Sequence, residues 1–204
     1  DFMKSNRIII STVSTVHTHT EIYDWCAITT MIIDEASQLL EPQLSGILTH
    51  ANRFILIGDE RQLPAVITQD MNGTTVNHPL FAEIGLTDFR MSLFERLLRQ
   101  CIKHGDNHAF GMLTMQARMH EDISNIVSTM NYDDKLMVMN PWQSSEYDIP
   151  LPAYPRLTWI STYPEFQYKI HKAEAQLSID LALEAMNSVN CDSIGIITPF
   201  RSQI

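Results

Sequence analysis

The sequence predicts an α/β protein in which helices cover mainly parallel sheets. Short apolar runs rich in β-branched residues alternate with stretches of helical periodicity, as expected where helices connect successive parallel strands. Two of these runs, residues 31–33 and 54–57, are continuously apolar, which indicates strands with both faces covered. The predicted strands are residues 7–12, 31–34, 54–58, 157–162 and 193–199.

Two helices and two irregular connections complete this prediction. Apolar residues recur at helical spacing between residues 91 and 102 and predict an amphipathic helix. A second helix is predicted for residues 172–188, and loops are predicted for 68–88 and 140–155, which lack periodicity. Because Gly105-Asp106-Asn107 follows the first helix, we divide the chain into domains 1–104 and 105–204.

Charge and cysteine usage narrow the class of protein. The chain of 204 residues has 14 Lys and Arg against 24 Asp and Glu and no basic run, which argues against binding nucleic acid through bulk charge alone. Three widely separated cysteines without a Cys-x-x-Cys pair predict a reduced, cytoplasmic protein. No apolar run approaches the ~20 residues of a membrane span, so we expect no membrane partner. Because the chain begins with Asp1, we expect a piece of a longer protein.

A pair of carboxylates follows the first continuously apolar strand. Asp34 and Glu35 come directly after it, and ligands of open α/β sheets bind at the carboxyl ends of the strands. One carboxylate in such a place can hold Mg²⁺, and the other can activate a water for phosphoryl transfer. On this dipeptide alone, two acids that complement a helix dipole are an equally good interpretation.

Polar residues also follow the second continuously apolar strand. Asp59 comes 25 residues after Asp34 (59 − 34), a separation that one helix and one strand of a doubly wound unit fill. The amide of Gln62 both donates and accepts hydrogen bonds, so it can sense a terminal phosphate. A Gly-Asp sequence that precedes a proline is also typical of an ordinary surface turn.

These motifs, taken in order, resemble those of superfamily 1 helicases. The sequence Asp-Glu-Ala-Ser-Gln looks like their Walker B motif, or motif II, and Gly-Asp-Glu-Arg-Gln-Leu-Pro looks like motif III. The resemblance points to the branch that includes the nonsense-mediated-decay helicase, senataxin and the Dna-two nuclease-helicase. It covers most of residues 31–203, with matching segments at 34–38, 58–64, 92–97, 113–120 (similar to the Gln-Tyr-Arg-Met-His motif IV), 123–136 and 194–203.

The resemblance implies a fold, a function and a set of roles. The implied fold is a truncated pair of RecA-like domains of the P-loop NTPase helicase class, with parallel sheets and flanking helices. The implied function is ATP-dependent movement on single-stranded DNA or RNA, with Mg²⁺ and ATP as cofactors. Asp34 would coordinate the metal, Glu35 would be the catalytic base, and Gln62 would contact the γ-phosphate.

Motif IV supplies a second group of implied residues. Arg118 would be an arginine finger, because a guanidinium can neutralise the charge that develops on the transferred phosphoryl group. Gln116 would bind the nucleotide in the same cleft. Without the resemblance, an ion pair of Arg118 with Glu121 or Asp122 would be the better interpretation. Ala117 departs from the family, which has an aromatic residue there.

The last predicted strand ends in residues for which the family suggests contact with nucleic acid. Thr198, Pro199 and Arg201 follow this strand and are expected to touch the backbone of the bound strand. A turn that simply ends a strand requires the same residue types. His171 stands where the family often has Asn, so no role is carried over to it.

The sequence contains no Gly-x-x-x-x-Gly-Lys-Ser/Thr loop, whose amides and lysine hold the phosphates in P-loop NTPases. We therefore expect the 204-residue chain by itself not to hydrolyse ATP. Two other functions are weighed against the helicase. One is a catalytically silent RecA-like scaffold that binds partners. The other is a metal-dependent nuclease with Asp34, Glu35 and Asp59 as ligands, which leaves Gln62 and Arg118 unexplained.

Overall fold

The computed structural model describes residues 5–145, 154–163, 169–187, 191 and 193–203. Contacts divide the chain into two compact units, Asp1–Met112 and Leu113–Ile204. This division assigns residues 105–112 to the first unit, and the boundary placed after His104 stays a prediction. Each unit contains its own short parallel strand pair.

The first unit has a parallel pair of strands that helices flank. The two strands are β1 (Ile28–Ile33) and β2 (Ala51–Leu56), in which Ile28 lies opposite Ala51 and Ile33 lies opposite Leu56. Its elements are α1 (Val13–Thr18), α2 (Ile22–Trp25), β1 (Ile28–Ile33), a 3-10 turn (Ala36–Gln38), α3 (Glu41–Leu48), β2 (Ala51–Leu56), α4 (Met71–Thr74), α5 (Pro79–Glu83) and α6 (Leu93–His104).

The core of the first unit lies where β1, α3 and α6 meet. Ile33, Ala36, Leu44 and Leu93 are buried there, and partly buried apolar side chains of β2 and α6 pack around them. Burial of a leucine or isoleucine side chain contributes about 1.5–3 kcal/mol relative to exposure. This core therefore fixes the end of β1 and the turn that follows it.

Helix α6 confirms the amphipathic helix predicted for residues 91–102. The Ser92 hydroxyl accepts the Glu95 N–H at 3.1 Å, which satisfies an amide at the start of the helix. Gly105 ends it with a φ of 72°, a conformation that glycine adopts without a Cβ clash.

A buried ion pair joins α3 to α6. Arg96 Nε and Nη2 donate to the two carboxylate oxygens of Glu41, each at 2.6 Å. Arg96 Nη1 donates to the Ile84 carbonyl at 2.8 Å. Both charged side chains are only 9% exposed, so each depends on the other for compensation of its buried charge.

The predicted loop at residues 68–88 contains the short helices α4 and α5 and is closed by a bridge between Thr75 and Asp88. Hydrogen bonds from the Arg90 side chain and backbone hold the pKa of the Asp88 carboxyl well below its usual range. The loop is therefore irregular but internally fixed at its carboxyl end.

Three of the five predicted strands are wrong within the described residues. Most of residues 31–34 and 54–58 lies on β1 and β2, but 7–12, 157–162 and 193–199 form no ladder. The covering of both faces that was expected for the first two runs is also wrong among the described residues, since Ile32 is 62% exposed and Ile55 is 50% exposed. Ile10 is 92% exposed and Ile197 is 95% exposed. A β-branched run becomes a strand only when another strand takes up its hydrogen bonds, and the described residues offer no such partner to these three runs.

The second unit contains a shorter parallel pair, in which Met115 lies opposite Met137 and Gln116 opposite Val138. Helix α8 (Lys172–Met186) bears out the helix predicted for residues 172–188 as far as Met186, and residue 188 lies outside the described residues. Residues 146–153 of the predicted loop 140–155 also lie outside them. The elements are β3 (Met115–Gln116), α7 (Glu121–Asn131), β4 (Met137–Val138), a 3-10 turn (Pro141–Ser144), α8 (Lys172–Met186) and a 3-10 turn (Arg201–Gln203).

None of the helices in the described part of the chain combines the length and the hydropathy that a membrane span requires.

The buried ion pair yields a test of the first unit. We expect Arg96→Met to lower the free energy of unfolding of the 204-residue chain by about 3–5 kcal/mol, because Glu41 is left as a buried, uncompensated charge. Urea denaturation followed by circular dichroism measures this. The control is Arg99→Met, which removes an exposed pair with Glu95 on the same helix and is expected to cost about 0.3–0.5 kcal/mol. Equal effects of the two substitutions would contradict the assignment.

Candidate functional site

The hydrogen bonds between β1 and β2 continue past the ends of both strands. The Ile57 N–H donates to the Ile33 carbonyl and the Ala36 N–H donates to the Ile57 carbonyl, both at 2.8 Å. The buried Ser37 hydroxyl accepts the Asp59 N–H at 3.0 Å. We call this contact the strand-tip junction, and it comprises residues 33–37 and 57–59.

Gly58 allows the two segments of the strand-tip junction to approach closely. A Cβ added at Gly58 would lie 2.8 Å from the Ser37 backbone nitrogen and 3.2 Å from its hydroxyl oxygen. Contacts this short do not occur with ordinary side chains, so the backbone would have to move. The glycine of the motif III segment is thus explained by packing against the motif II segment.

The two predicted acids lie at the strand-tip junction and are exposed. The Glu35 N–H donates to Asp34 Oδ1 at 3.0 Å, and Gln38 Nε2 donates to Glu35 Oε2 at 3.0 Å. Glu35 has φ 53° and ψ 34°, the left-handed region that costs a non-glycine residue energy and is concentrated at functional sites. Glu35 shares a positive φ with Asp133, Asp134 and Lys169, and its catalytic role stays a prediction.

Gln62 reaches the strand-tip junction through Asp59. Its Nε2 donates to Asp59 Oδ2 at 2.8 Å, while the Arg61 N–H donates to Asp59 Oδ1 at 3.0 Å. Asp59 is in turn held by Ser37. The predicted carboxylates and the predicted glutamine are therefore linked by one series of bonds within the first unit.

In the second unit, Gln116 forms a tight turn with the residues that follow it. Gln116 Oε1 accepts the Arg118 N–H at 2.9 Å and the Met119 N–H at 2.8 Å, and Nε2 donates to the Met119 carbonyl at 3.0 Å. The amide thus organises the backbone from which Arg118 projects. A role for Gln116 in nucleotide binding stays a prediction.

The guanidinium of Arg118 is exposed, and the described residues supply it with no hydrogen bond or ion pair. Asp122 instead lies 3.4 Å from His120 Nδ1 and 3.6 Å from Arg156 Nε. The ion pair of Arg118 with Glu121 or Asp122, considered above, is therefore not formed among these residues. An exposed guanidinium on a fixed turn remains available to a ligand.

Gln143 is a further residue of this turn, and the motif analysis gave it no role. Its Nε2 donates to the carbonyls of Gln116 and Met119 at 3.1 and 2.7 Å. Its Oε1 accepts the Met139 and Asn140 N–H groups at 3.0 and 2.8 Å, and its side chain is fully buried. A glutamine three residues after Asn140 is a capping pattern visible in the sequence, but its long-range bonds are not.

The residues predicted to touch nucleic acid lie on a separate turn of the second unit. The Thr198 hydroxyl accepts the Phe200 N–H at 3.4 Å, and Pro199 and Arg201 are exposed. Gln203 fixes this turn, because its amide accepts the His171 N–H at 2.6 Å and donates to the His171 carbonyl at 2.8 Å. The assignment of Thr198, Pro199 and Arg201 to nucleic acid stays a prediction.

Family models described as AAA domain match residues 1–70 and 89–204. The chain is 28% identical over 207 residues to the "DNA replication ATP-dependent helicase/nuclease DNA2" of Saccharomyces cerevisiae, with 85% of this chain and 12% of that protein covered. It is 28% identical over 183 residues to the human "Probable helicase senataxin", covering 85% and 6%.

A third relative is the "DNA-binding protein SMUBP-2" of Mesocricetus auratus, 37% identical over 106 residues, which cover 52% of this chain and 9% of that protein. The chain therefore spans a small part of the length of these relatives.

These matches define the chain as an AAA-domain protein with the P-loop NTPase fold. Within that class it belongs to the superfamily 1 helicases, in the branch of the relatives named above.

The close approach at Gly58 yields a test of the strand-tip junction. We expect Gly58→Ala to lower the free energy of unfolding by about 1–3 kcal/mol, because the new Cβ displaces Ser37. The matched control is Gly46→Ala in α3, where an added Cβ meets nothing within 4 Å and is expected to stabilise the helix by about 0.4–1 kcal/mol. Thermal unfolding of both variants distinguishes them, and an unchanged Gly58→Ala variant would refute the close contact.

Proposed function

We propose that this chain supplies the water-activating and charge-neutralising groups of an ATP-dependent helicase that moves on single-stranded DNA or RNA. The observation that carries the proposal is the strand-tip junction, in which Glu35 adopts a strained backbone conformation two residues before Ser37, and Ser37 anchors Asp59, which in turn holds Gln62. Membership of the superfamily 1 helicases supports the same assignment.

The exposed Asp34 carboxylate suits Mg²⁺ bound with ATP. In such sites Mg²⁺ uses one or two carboxylates together with phosphate oxygens and waters. Among the described residues no cluster of three or more His, Cys, Asp or Glu is arranged to hold a metal. The alternative nuclease, whose metal ion would be held mainly by protein side chains, is therefore less well supported than the helicase. When bound, the ion would neutralise charge on the phosphates.

The remaining residues have roles that their chemistry permits. Glu35, whose carboxylate is steadied by Gln38, accepts a proton from the attacking water. Gln62 contacts the γ-phosphate with its amide. Arg118 contributes a guanidinium that neutralises charge on the transferred phosphoryl group, and Gln116 holds the turn that carries it.

The partner is proposed to be a nucleic acid strand bound locally. The net charge of −10 is unfavourable to broad electrostatic attraction, so Thr198, Pro199 and Arg201 are proposed to contact the backbone at one turn. A cytoplasmic location is proposed from the cysteine usage.

The 204-residue chain by itself is expected to show no ATP turnover with Mg²⁺, with or without single-stranded DNA or RNA. The sequence lacks the loop whose amides and lysine hold the phosphates, so Glu35 has no fixed substrate. Release of phosphate by the purified chain measures this. Turnover that disappears in Glu35→Gln would contradict the expectation.

The central test is made in a protein that carries this chain together with a phosphate-binding loop. There, Glu35→Gln is expected to lower kcat for ATP by about 10²–10⁴-fold because the general base is lost. Arg118→Ala is expected to lower it by about 10³–10⁵-fold. Phosphate release in the presence of single-stranded DNA or RNA is the measurement.

The matched control is Glu83→Gln, at an exposed glutamate of α5, which should keep the parent rate. If Glu35→Gln hydrolyses ATP as fast as this control, the proposed catalytic role is wrong, and the silent scaffold becomes the better account.

A further inference from the structure

Asp59 uses both carboxylate oxygens to order the four-residue segment that ends in Gln62. Oδ1 accepts the Arg61 N–H at 3.0 Å, and Oδ2 accepts Gln62 Nε2 at 2.8 Å. The Gln62 N–H also donates to the Asp59 carbonyl at 3.3 Å. Asp59 therefore fixes both the backbone and the side-chain end of Gln62.

The charge of Asp59 determines which end of the Gln62 amide it binds. The oxygen and nitrogen ends of an amide have nearly the same shape, but an ionised carboxylate only accepts hydrogen bonds. A rotated amide would bring Oε1 against Oδ2, two acceptors with no proton between them. The carboxylate therefore selects one orientation of the amide. In that orientation one N–H donates to Asp59, and the second N–H and Oε1 are left for other partners.

Asp59 is itself anchored to the motif II segment. Its N–H donates to the hydroxyl of Ser37, a side chain that is only 6% exposed. Ser37 is two residues from Glu35, and the backbone at Gly58 approaches Ser37 so closely that an added Cβ would lie 2.8 Å from the Ser37 nitrogen. Two hydrogen bonds, from the Asp59 N–H to Ser37 and from Gln62 to the Asp59 carboxylate, therefore connect Gln62 to the segment that contains Glu35.

We propose that Asp59 is a positioning residue that sets the orientation of the Gln62 amide, and that Ser37 fixes Asp59 relative to Glu35. The inference rests on the proposed function, because the orientation matters only if Gln62 acts on the γ-phosphate or the attacking water. It assigns to Asp59 a role different from the metal ligand of the nuclease alternative.

A double-mutant cycle tests the inference in the protein that carries the phosphate-binding loop. Asp59→Asn keeps the shape of the side chain, but its oxygen is retained by the Arg61 N–H, so its NH2 group takes the place of Oδ2 and favours the opposite orientation of the Gln62 amide. Asp59→Asn is expected to lower kcat by about tenfold while KM for ATP changes less than twofold. The reason is that the interaction of the oriented Gln62 amide is made in the transition state and not in the bound ground state. In Gln62→Ala, adding Asp59→Asn is expected to cause no further loss beyond twofold.

The chain offers a matched control for the lost hydrogen bond. In α8, Gln176 Nε2 donates to Asp180 Oδ1 at 2.8 Å, an exposed glutamine–aspartate bond of the same length. Asp180→Asn weakens that bond in the second unit, whereas Asp59 and Gln62 belong to the first. It should leave kcat and KM within twofold of the parent.

The outcomes separate this inference from the proposed function. If Glu35→Gln abolishes hydrolysis and the effects of Asp59→Asn and Gln62→Ala multiply, the positioning role is overturned and the proposed function stands. If Glu35→Gln leaves hydrolysis intact, the proposed function fails. A tenfold loss in Asp59→Asn that disappears in the Gln62→Ala background supports the positioning role, and an Asp59→Asn variant that keeps the parent kcat overturns it.

A second measurement needs no turnover and uses the 204-residue chain. With ¹⁵N-labelled glutamine, Asp59→Asn is expected to shift the side-chain amide resonances of Gln62 and speed exchange of its hydrogen-bonded proton, whereas Asp180→Asn affects only those of Gln176. Unchanged Gln62 resonances in Asp59→Asn would overturn the inference even if the variant lowers activity.

Discussion

The register between β1 and β2 is the constraint on which the candidate site depends. With Ile33 opposite Leu56, Ile57 bonds to both sides of the turn after β1, and Gly58 meets Ser37. A slip by one residue would turn the side chains of the whole strand to the other face and bring a residue with a Cβ against the Ser37 backbone. Burial of Ile33 and Ala36 against α3 and α6 opposes such a slip.

This register also explains how a strained residue is retained. The left-handed conformation of Glu35 costs about 1–3 kcal/mol, and its neighbours compensate for it from both sides. Ile33 precedes it in the core, and Ala36 follows it, fully buried and bonded to Ile57. The strain therefore lies on an exposed residue between a buried strand end and a buried turn, and Gln38 holds the carboxylate of that residue through a hydrogen bond of 3.0 Å.

The sequence predicts the parts of this arrangement that depend on local pattern. Continuous apolar runs identified β1 and β2, and periodicity identified α6, because both signals lie within the segment itself. The run at residues 7–12 has the same composition but forms no ladder in the described chain, since a strand requires a distant partner. For the same reason the Glu41–Arg96 pair, 55 residues apart, and the bond from Ser37 to Asp59 have no local signature.

Glutamine shows most clearly why residue type alone does not give a role. Gln143 and Gln203 use both ends of their amides on backbone groups, so their hydrogen-bonding capacity serves the fold. Gln116 likewise uses both ends of its amide on backbone groups, and one of these bonds fixes the backbone of Arg118. Gln62 is exposed, and its one side-chain bond among the described residues goes to a charged group that orients it. What separates a glutamine that binds a ligand from one that closes a turn is therefore the donor and acceptor capacity left after folding, a quantity that only the three-dimensional arrangement supplies.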